Sequence, residues 1–237
     1  MLPSGPTEPS RSSYCRACGS VVVFVLFVLS AVLLQAQRVE VRSGNVYYTD
    51  AYGTRTQVTS SGADRDAALS PDGKTIVFVR DTSERARFEE PANDHPAQRQ
   101  IWTASTEGTD GEKLVFSQPV VLKDWSEFVS SSGPRLSPDN RFVYFLIPHY
   151  VTENGLIRLD LKTKQTLLLT EALTFWVIGS GQFEGDLVVQ IRKPLDGGFS
   201  QYYWLIEPDG RELGFVGESE PEVREFLANP RRVLRRN

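Results

Sequence analysis

Cysteine and histidine are nearly absent from this 237-residue chain, which has two of each. Both cysteines, Cys15 and Cys18, stand ahead of the one long apolar run, so the chain beyond it folds without disulfides. Cys-x-x-Cys holds a metal or a redox couple when further ligands join it; no second pair exists, and no metal site is expected. His95 falls in a polar insertion and His149 follows an apolar run, where a surface or hydrogen-bonded role is the plain expectation. The chain has no Gly-x-Ser-x-Gly elbow, His-x-x-x-His pair, Gly-rich phosphate loop or Gly-x-Gly-x-x-Gly turn. No catalytic, cofactor-binding or metal-binding residue is therefore assigned. An excess of positive charge is missing too: the formal net charge is -4, which argues against nucleic acid as the main partner.

The long apolar run is Val21 to Leu34, interrupted by Ser30 alone, with Arg11 and Arg16 ahead of it and Gln35-Ala36-Gln37 behind. A positive lead, an apolar stretch of this length and a small residue after it read as an export signal cleaved after Ala36. Leu34 is bulky for a cleavage site, and residues 19–36 are just long enough to span a bilayer, so a retained anchor is the second reading. Under either reading the arginine lead keeps the N-terminus inside and sends the rest outside, to the periplasm or the cell exterior. Beyond this segment lie about 200 residues, one domain with room for a sizeable core.

What the chain does have is a phrase that occurs twice. Ala67-Ala68-Leu69-Ser70-Pro71-Asp72-Gly73-Lys74 leads into Thr75 to Val79, and Pro134-Arg135-Leu136-Ser137-Pro138-Asp139-Asn140-Arg141 leads into Phe142 to Ile147. Proline presets the φ of a tight turn, Asp bonds nearby backbone, and Gly or Asn tolerates a left-handed conformation. The runs after the turns are β-branched and aromatic without polar alternation, as in strands buried on both faces. Each phrase leads on to a further strand, a turn and an outer strand: Gln100 to Ala104 and Lys113 to Phe116 in one copy, Gly155 to Asp160 and Gln165 to Leu169 in the other. Trp102, Trp176 and Trp204 fall within strand-like runs and read as blade core. Two weaker units flank the pair, Gly44 to Gly62 as half a unit and Phe183 to Gly217 as a unit without the opening phrase. Units of four antiparallel strands in register with one turn phrase predict an all-β propeller of about four blades, incomplete at one end; an ordinary β-sandwich is the alternative.

At Ser70-Pro71-Asp72-Gly73-Lys74, and with Asn for Gly at Ser137-Pro138-Asp139-Asn140-Arg141, the chain resembles the WD-repeat-like blade of the TolB propeller and of prolyl-oligopeptidase-type peptidase propellers. Leu69 and Leu136 stand where the family carries an aromatic residue. The resemblance covers residues 40 to 218 and implies partners in the cell envelope. The chain departs from the pattern in having fewer than the six blades of a TolB propeller and no room for the α/β domain before it. Ring closure is left open between a four-bladed ring, an arc, and an assembly completed by a partner or a second copy, because an incomplete ring exposes strand edges.

The domain plan is thus residues 1–36 as signal or anchor, 37–219 as propeller, and 220–237 as a short helix over Glu220 to Ala228 with a basic tail. Two polar segments are candidate partner-binding loops, one carrying Glu89, Glu90, Asp94 and His95, the other Trp125 and Phe128. Asp72, Asp139 and Asp209 read as turn residues, and calcium would need more converging oxygens than the spacing offers. The expectation is a non-catalytic exported propeller that binds a protein or peptide. The alternatives are a hydrolase or lyase with its site in the central channel, and an accessory substrate-binding propeller of a peptidase-like system.

Overall fold

The computed structural model describes residues 36–229 apart from 86, 89–96, 109–110, 118–120, 123–130, 151–152 and 196–197. Residues 1–35, which hold Cys15, Cys18 and the apolar run expected to be an export or anchor segment, the loop residues Glu89, Glu90, Asp94, His95, Trp125 and Phe128, and the basic tail all lie outside the described residues. The described chain makes four antiparallel sheets in sequence order. Blade A holds β1 (Arg38–Arg42), β2 (Asn45–Thr49) and β3 (Arg55–Gln57). Blade B holds β4 (Asp64–Leu69), β5 (Thr75–Arg85), β7 (Ala97–Ser105) and β8 (Glu112–Ser117); two short strands, β6 (Arg87–Phe88) and β9 (Val121–Leu122), pair in parallel beside it. Blade C holds β10 (Ser132–Leu136), β11 (Phe142–Tyr150), β12 (Glu153–Asp160) and β13 (Thr166–Ala172). Blade D holds β14 (Thr174–Val177), β15 (Leu187–Leu195), β16 (Gly198–Ile206) and β17 (Glu212–Gly217), followed by helix α1 (Glu220–Ala228).

The repeated phrase builds the same turn twice. Ser70 Oγ donates to Asp72 Oδ1 at 2.5 Å and accepts from the Thr75 amide at 2.9 Å, while Asp72 Oδ1 accepts from the Lys74 amide at 3.0 Å. Ser137, Asp139, Arg141 and Phe142 repeat the pattern at 2.5, 2.9 and 3.1 Å. Gly73 has φ 72° and Asn140 φ 56°, the left-handed position that favours those two residues. A further bond, Asn140 Nδ2 to Asp72 Oδ2 at 2.7 Å, ties the turn of blade B to that of blade C. Burial works to raise the pKa of both aspartates, but the serine hydroxyls and backbone amides outweigh it and hold Asp72 and Asp139 below the usual carboxylate range.

Three apolar layers lie between the blades. Val46, Tyr48, Ile76, Phe78 and Ala104 join blade A to B. Val77, Ile101, Leu136, Val143, Phe145, Ile157 and Leu159 join B to C, and Tyr144, Leu146, Leu156, Phe175, Leu187, Val189 and Ile206 join C to D. Successive residues of β5 and β11 serve opposite layers, which is why neither run alternates with polar residues. Among the described residues no apolar layer joins blade A to blade D.

The two outer faces are finished differently. On blade D, α1 covers Ile178, Val188, Tyr203 and Leu205 through buried Val223, with Phe226 stacked on Phe183 at 6.0 Å. Ser219 and Glu222 form the capping box that starts this helix, and Pro221 follows at its first turn. On blade A the outer face is charged: Glu40 pairs with Arg42 and with Arg55, each at 3.1 Å, and the Arg55 guanidinium lies 4.2 Å from the Tyr47 ring centre. The described residues thus form an arc, ending in a charged sheet face on blade A and a helix-covered one on blade D.

Among the described residues blade A has no innermost strand. In B, C and D the first strand is innermost, and β10 lies against both β4 and β14 around the axis. In blade A, β2 and β3 repeat the third and fourth strands of a blade: Asp50 Oδ1 accepts from the Tyr52 and Thr54 amides at 2.8 Å, as Asp160 Oδ1 accepts from Lys162 and Thr163 at 2.8 and 3.0 Å. The β1–β2 turn also meets the start of the next inner strand, with the Asp64 amide 2.8 Å from the Gly44 carbonyl. That is the end of a blade where second and third strands join, so β1 is a second strand. The half unit at Gly44 to Gly62 gains one strand from Arg38 to Arg42, which no turn phrase announces.

Candidate functional site: the axial cavity

The inner strands of three blades converge on a cavity of about 280 Å³. Blade B contributes Leu69 and Pro71, blade C Arg135 and Leu136, blade D Trp176 to Ser180, and α1 contributes Leu227. The fit across the axis is close: a Cβ placed on Gly179 of blade D would meet Pro71 of blade B at 3.7 Å. Arg135 reaches this cavity by strand parity. Pro134 and Leu136 are buried, Leu136 in the layer against blade B, and Arg135 between them takes the opposite side of β10, toward the blade D wall of the cavity.

A bulge sets the same local shape in β4 and β10. Register shifts between Arg65 and Ala68 and between Ser132 and Arg135, and Gly133 takes φ 57° where Asp66 takes φ 49°. Asp66 tolerates that conformation better than most residues, and its carboxylate accepts from the Gly133 amide at 3.4 Å. Arg135 is open to the cavity yet surrounded by chain. That desolvation pulls its guanidinium below the ordinary arginine value, and the Asp66 charge opposes the shift. Nothing here is a nucleophile paired with a base. The cavity combines apolar side chains with an indole and one guanidinium, and the Asp66 carboxylate acts on that guanidinium from nearby. A second cleft, of about 350 Å³, lies on blade B between Lys74, Thr103, Glu107 and Lys113; it has no aromatic anchor and draws on one blade only.

Charge gathers elsewhere without converging. Among the described residues no group of three or more His, Cys, Asp or Glu side chains is placed to hold a metal ion. Asp186, at the start of β15, is pushed up to about 6, first by burial and then by the Glu207 and Asp209 charges against the opposing pull of Arg211. Its native pKa is thus above the unfolded value of about 3.9. The group favours the folded state in acid, and that contribution is lost as pH rises from about 4 through about 6. Asp186→Asn is therefore expected to raise the urea midpoint at pH 7.5 and to change it little at pH 4. A pH series of unfolding curves checks this, and an equal shift at both values would contradict it.

Of the Ser-Pro-Asp turns legible in the sequence, the structure puts Pro71 on the cavity wall, while Ser70, Asp72, Gly73, Ser137, Asp139 and Asn140 hold the turns themselves. Arg135 sits inside the repeated phrase without a role assigned to it from sequence, although its place between two buried residues is the signal for one. Trp176, expected as blade core, packs on Tyr203 at 5.8 Å and also lines the cavity.

No family model matches the sequence, and no curated protein matches it. Among solved structures, dipeptidyl peptidase 4 of Porphyromonas gingivalis superposes with a TM-score of 0.50 at 12% identity, over 77% of this chain and 31% of that one. The fold is that of propeller blades. TolB of Acinetobacter baumannii (TM-score 0.49, 16% identity, 74% of this chain and 38% of that one) and the propeller domain of the Trilobed protease of Pyrococcus furiosus (0.44, 14%, 74% and 51%) are similar as well. The chain spans about a third of the length of the first two, as four blades and a helix.

Proposed function

We propose that this arc is a non-catalytic binding scaffold on the outer side of the cytoplasmic membrane, and that it takes a peptide or protein segment at the axial cavity. One observation carries the reading. Three blades and α1 bring Trp176, Arg135 and apolar side chains to one cavity, the combination of aromatic anchor and guanidinium that dominates binding hot spots. Rigid sheets support it, and the described strands hold the lining residues in fixed register. An exported setting rests on the apolar run after Arg11 and Arg16, and envelope partners on the likeness of the repeated phrase to the TolB blade. Panning a random linear-peptide display library on the full chain tests the reading. Enriched peptides are expected to bind Arg135→Ala and Trp176→Ala at least about tenfold more weakly, or about 1.4 kcal/mol. Failure to enrich any peptide, or binding indifferent to both substitutions, would remove it.

A further inference from the structure

Among the described residues blade A has no inner strand, and two marks accompany that. Along β1 the main-chain groups on the edge away from β2 have no hydrogen-bond partner among the described residues, whereas β5, β11 and β15 are each paired on both sides. The second mark is in blade B. Leu69 and Leu136 hold the same place in the repeated phrase, but Leu136 is 3% exposed under blade B's inner strand. Leu69, facing blade A beside Val39 and Val41, is only half-buried; Ala67 is half-buried too, where its counterpart Pro134 is buried. Both marks are what remains when one strand is removed from between β1 and the axis.

We propose that an extended segment of another polypeptide adds there as the innermost strand of blade A, antiparallel to β1. Main-chain bonds to an open edge supply affinity in such strand addition, and alternate side chains supply selectivity. The segment has five or six residues, the length of β10 and β4. One of its faces carries small or apolar side chains that cover Ala67 and Leu69. A blade places a single strand between its second strand and the axis, so the space suits one extended segment and not the sheet of a second copy. This slot adjoins the axial cavity, which Leu69 also lines, but its contacts are with β1 and Ala67 and need neither Arg135 nor Trp176.

The test uses hydrogen exchange of the full chain, with a synthetic peptide copying Asp64–Lys74 as the strand donor. Saturating peptide is expected to slow exchange of the Arg38–Arg42 amides at least about tenfold, and the same peptide with Ala68→Pro, at a position that pairs with the second strand in blade B, is expected to do nothing. Trp176→Ala in the protein should leave that protection intact. A companion variant with a copy of Asp64–Lys74 inserted directly before Arg38 supplies the strand in cis. It is expected to melt about 5 °C higher and to lose the response to peptide. Unprotected Arg38–Arg42 amides at saturating peptide would overturn the proposal. So would protection that is already complete without peptide, which would assign the edge to a segment of the chain itself, or protection that grows with protein concentration alone, which would assign it to a second copy.

Discussion

Deleting Arg38 to Gly62 is expected to turn a monodisperse protein into an aggregating one. Those residues are blade A, and their removal opens the face of blade B that carries Ile76 and Phe78, both fully buried, beside Ala104 and Trp102. A continuous apolar sheet face flanked by the β4 edge is the kind of surface that associates edge to edge and face to face. The deletion also takes away Thr59, whose hydroxyl hydrogen bonds buried Asp64. Light scattering coupled to chromatography reads the outcome directly. A deletion product that stayed monomeric and unfolded cooperatively would mean that blade A is not part of the folded arc.

The second large effect belongs to Asp64 itself. Its side chain is fully buried at the start of β4, and its two oxygens accept from Arg80 Nε at 2.6 Å and Nη2 at 3.1 Å. Thr59 donates to the same carboxylate and in turn accepts from the Val46 amide at 2.9 Å, so one acidic group links blade A to blade B. Arg80 lies over the Trp102 ring at 4.7 Å and also reaches Glu112 at 2.6 Å. Burial pulls its guanidinium pKa down, but these two carboxylates outweigh that and hold it above the ordinary arginine value. Asp64→Ala strands the guanidinium and the Thr59 hydroxyl, and a broken buried pair of this kind costs about 3–5 kcal/mol. Asp64→Asn keeps the shape and part of the hydrogen bonding, so its loss is expected to be smaller. Urea unfolding of both variants measures the difference; an Asp64→Ala loss below about 1 kcal/mol would show that Glu112 alone satisfies Arg80.

Much of the fold was legible because a blade is a local unit. Pro71 and Pro138 preset the turns, Gly73 and Asn140 accept the left-handed φ, and the strands beside them are long enough to declare themselves. Blade D was harder to read at its start. Its inner strand, Thr174–Val177, has no Ser-Pro-Asp turn after it, and residues 178–186 make the connection instead. β1 was missed for a similar reason, since Arg-Val-Glu-Val-Arg alternates like a surface strand and nothing before it marks a turn. The site was less legible than the fold. Arg135 and Trp176 lie in different blades, and only the convergence of β10 and β14 on the axis brings them together.

By itself the sequence determined the all-β class, the four-strand unit and the turn that starts it, since these follow from dihedral preferences and hydrophobic pattern within some forty residues. Which sheet faces were covered, and by what, came only from the tertiary structure. α1 lies on blade D because Val223, Phe226 and Leu227 find apolar partners there, while blade A ends in paired charges. The arc that the described blades form, the open edge of β1 and the axial cavity all depend on how one blade packs against the next, and packing between distant segments leaves no periodic trace along the chain.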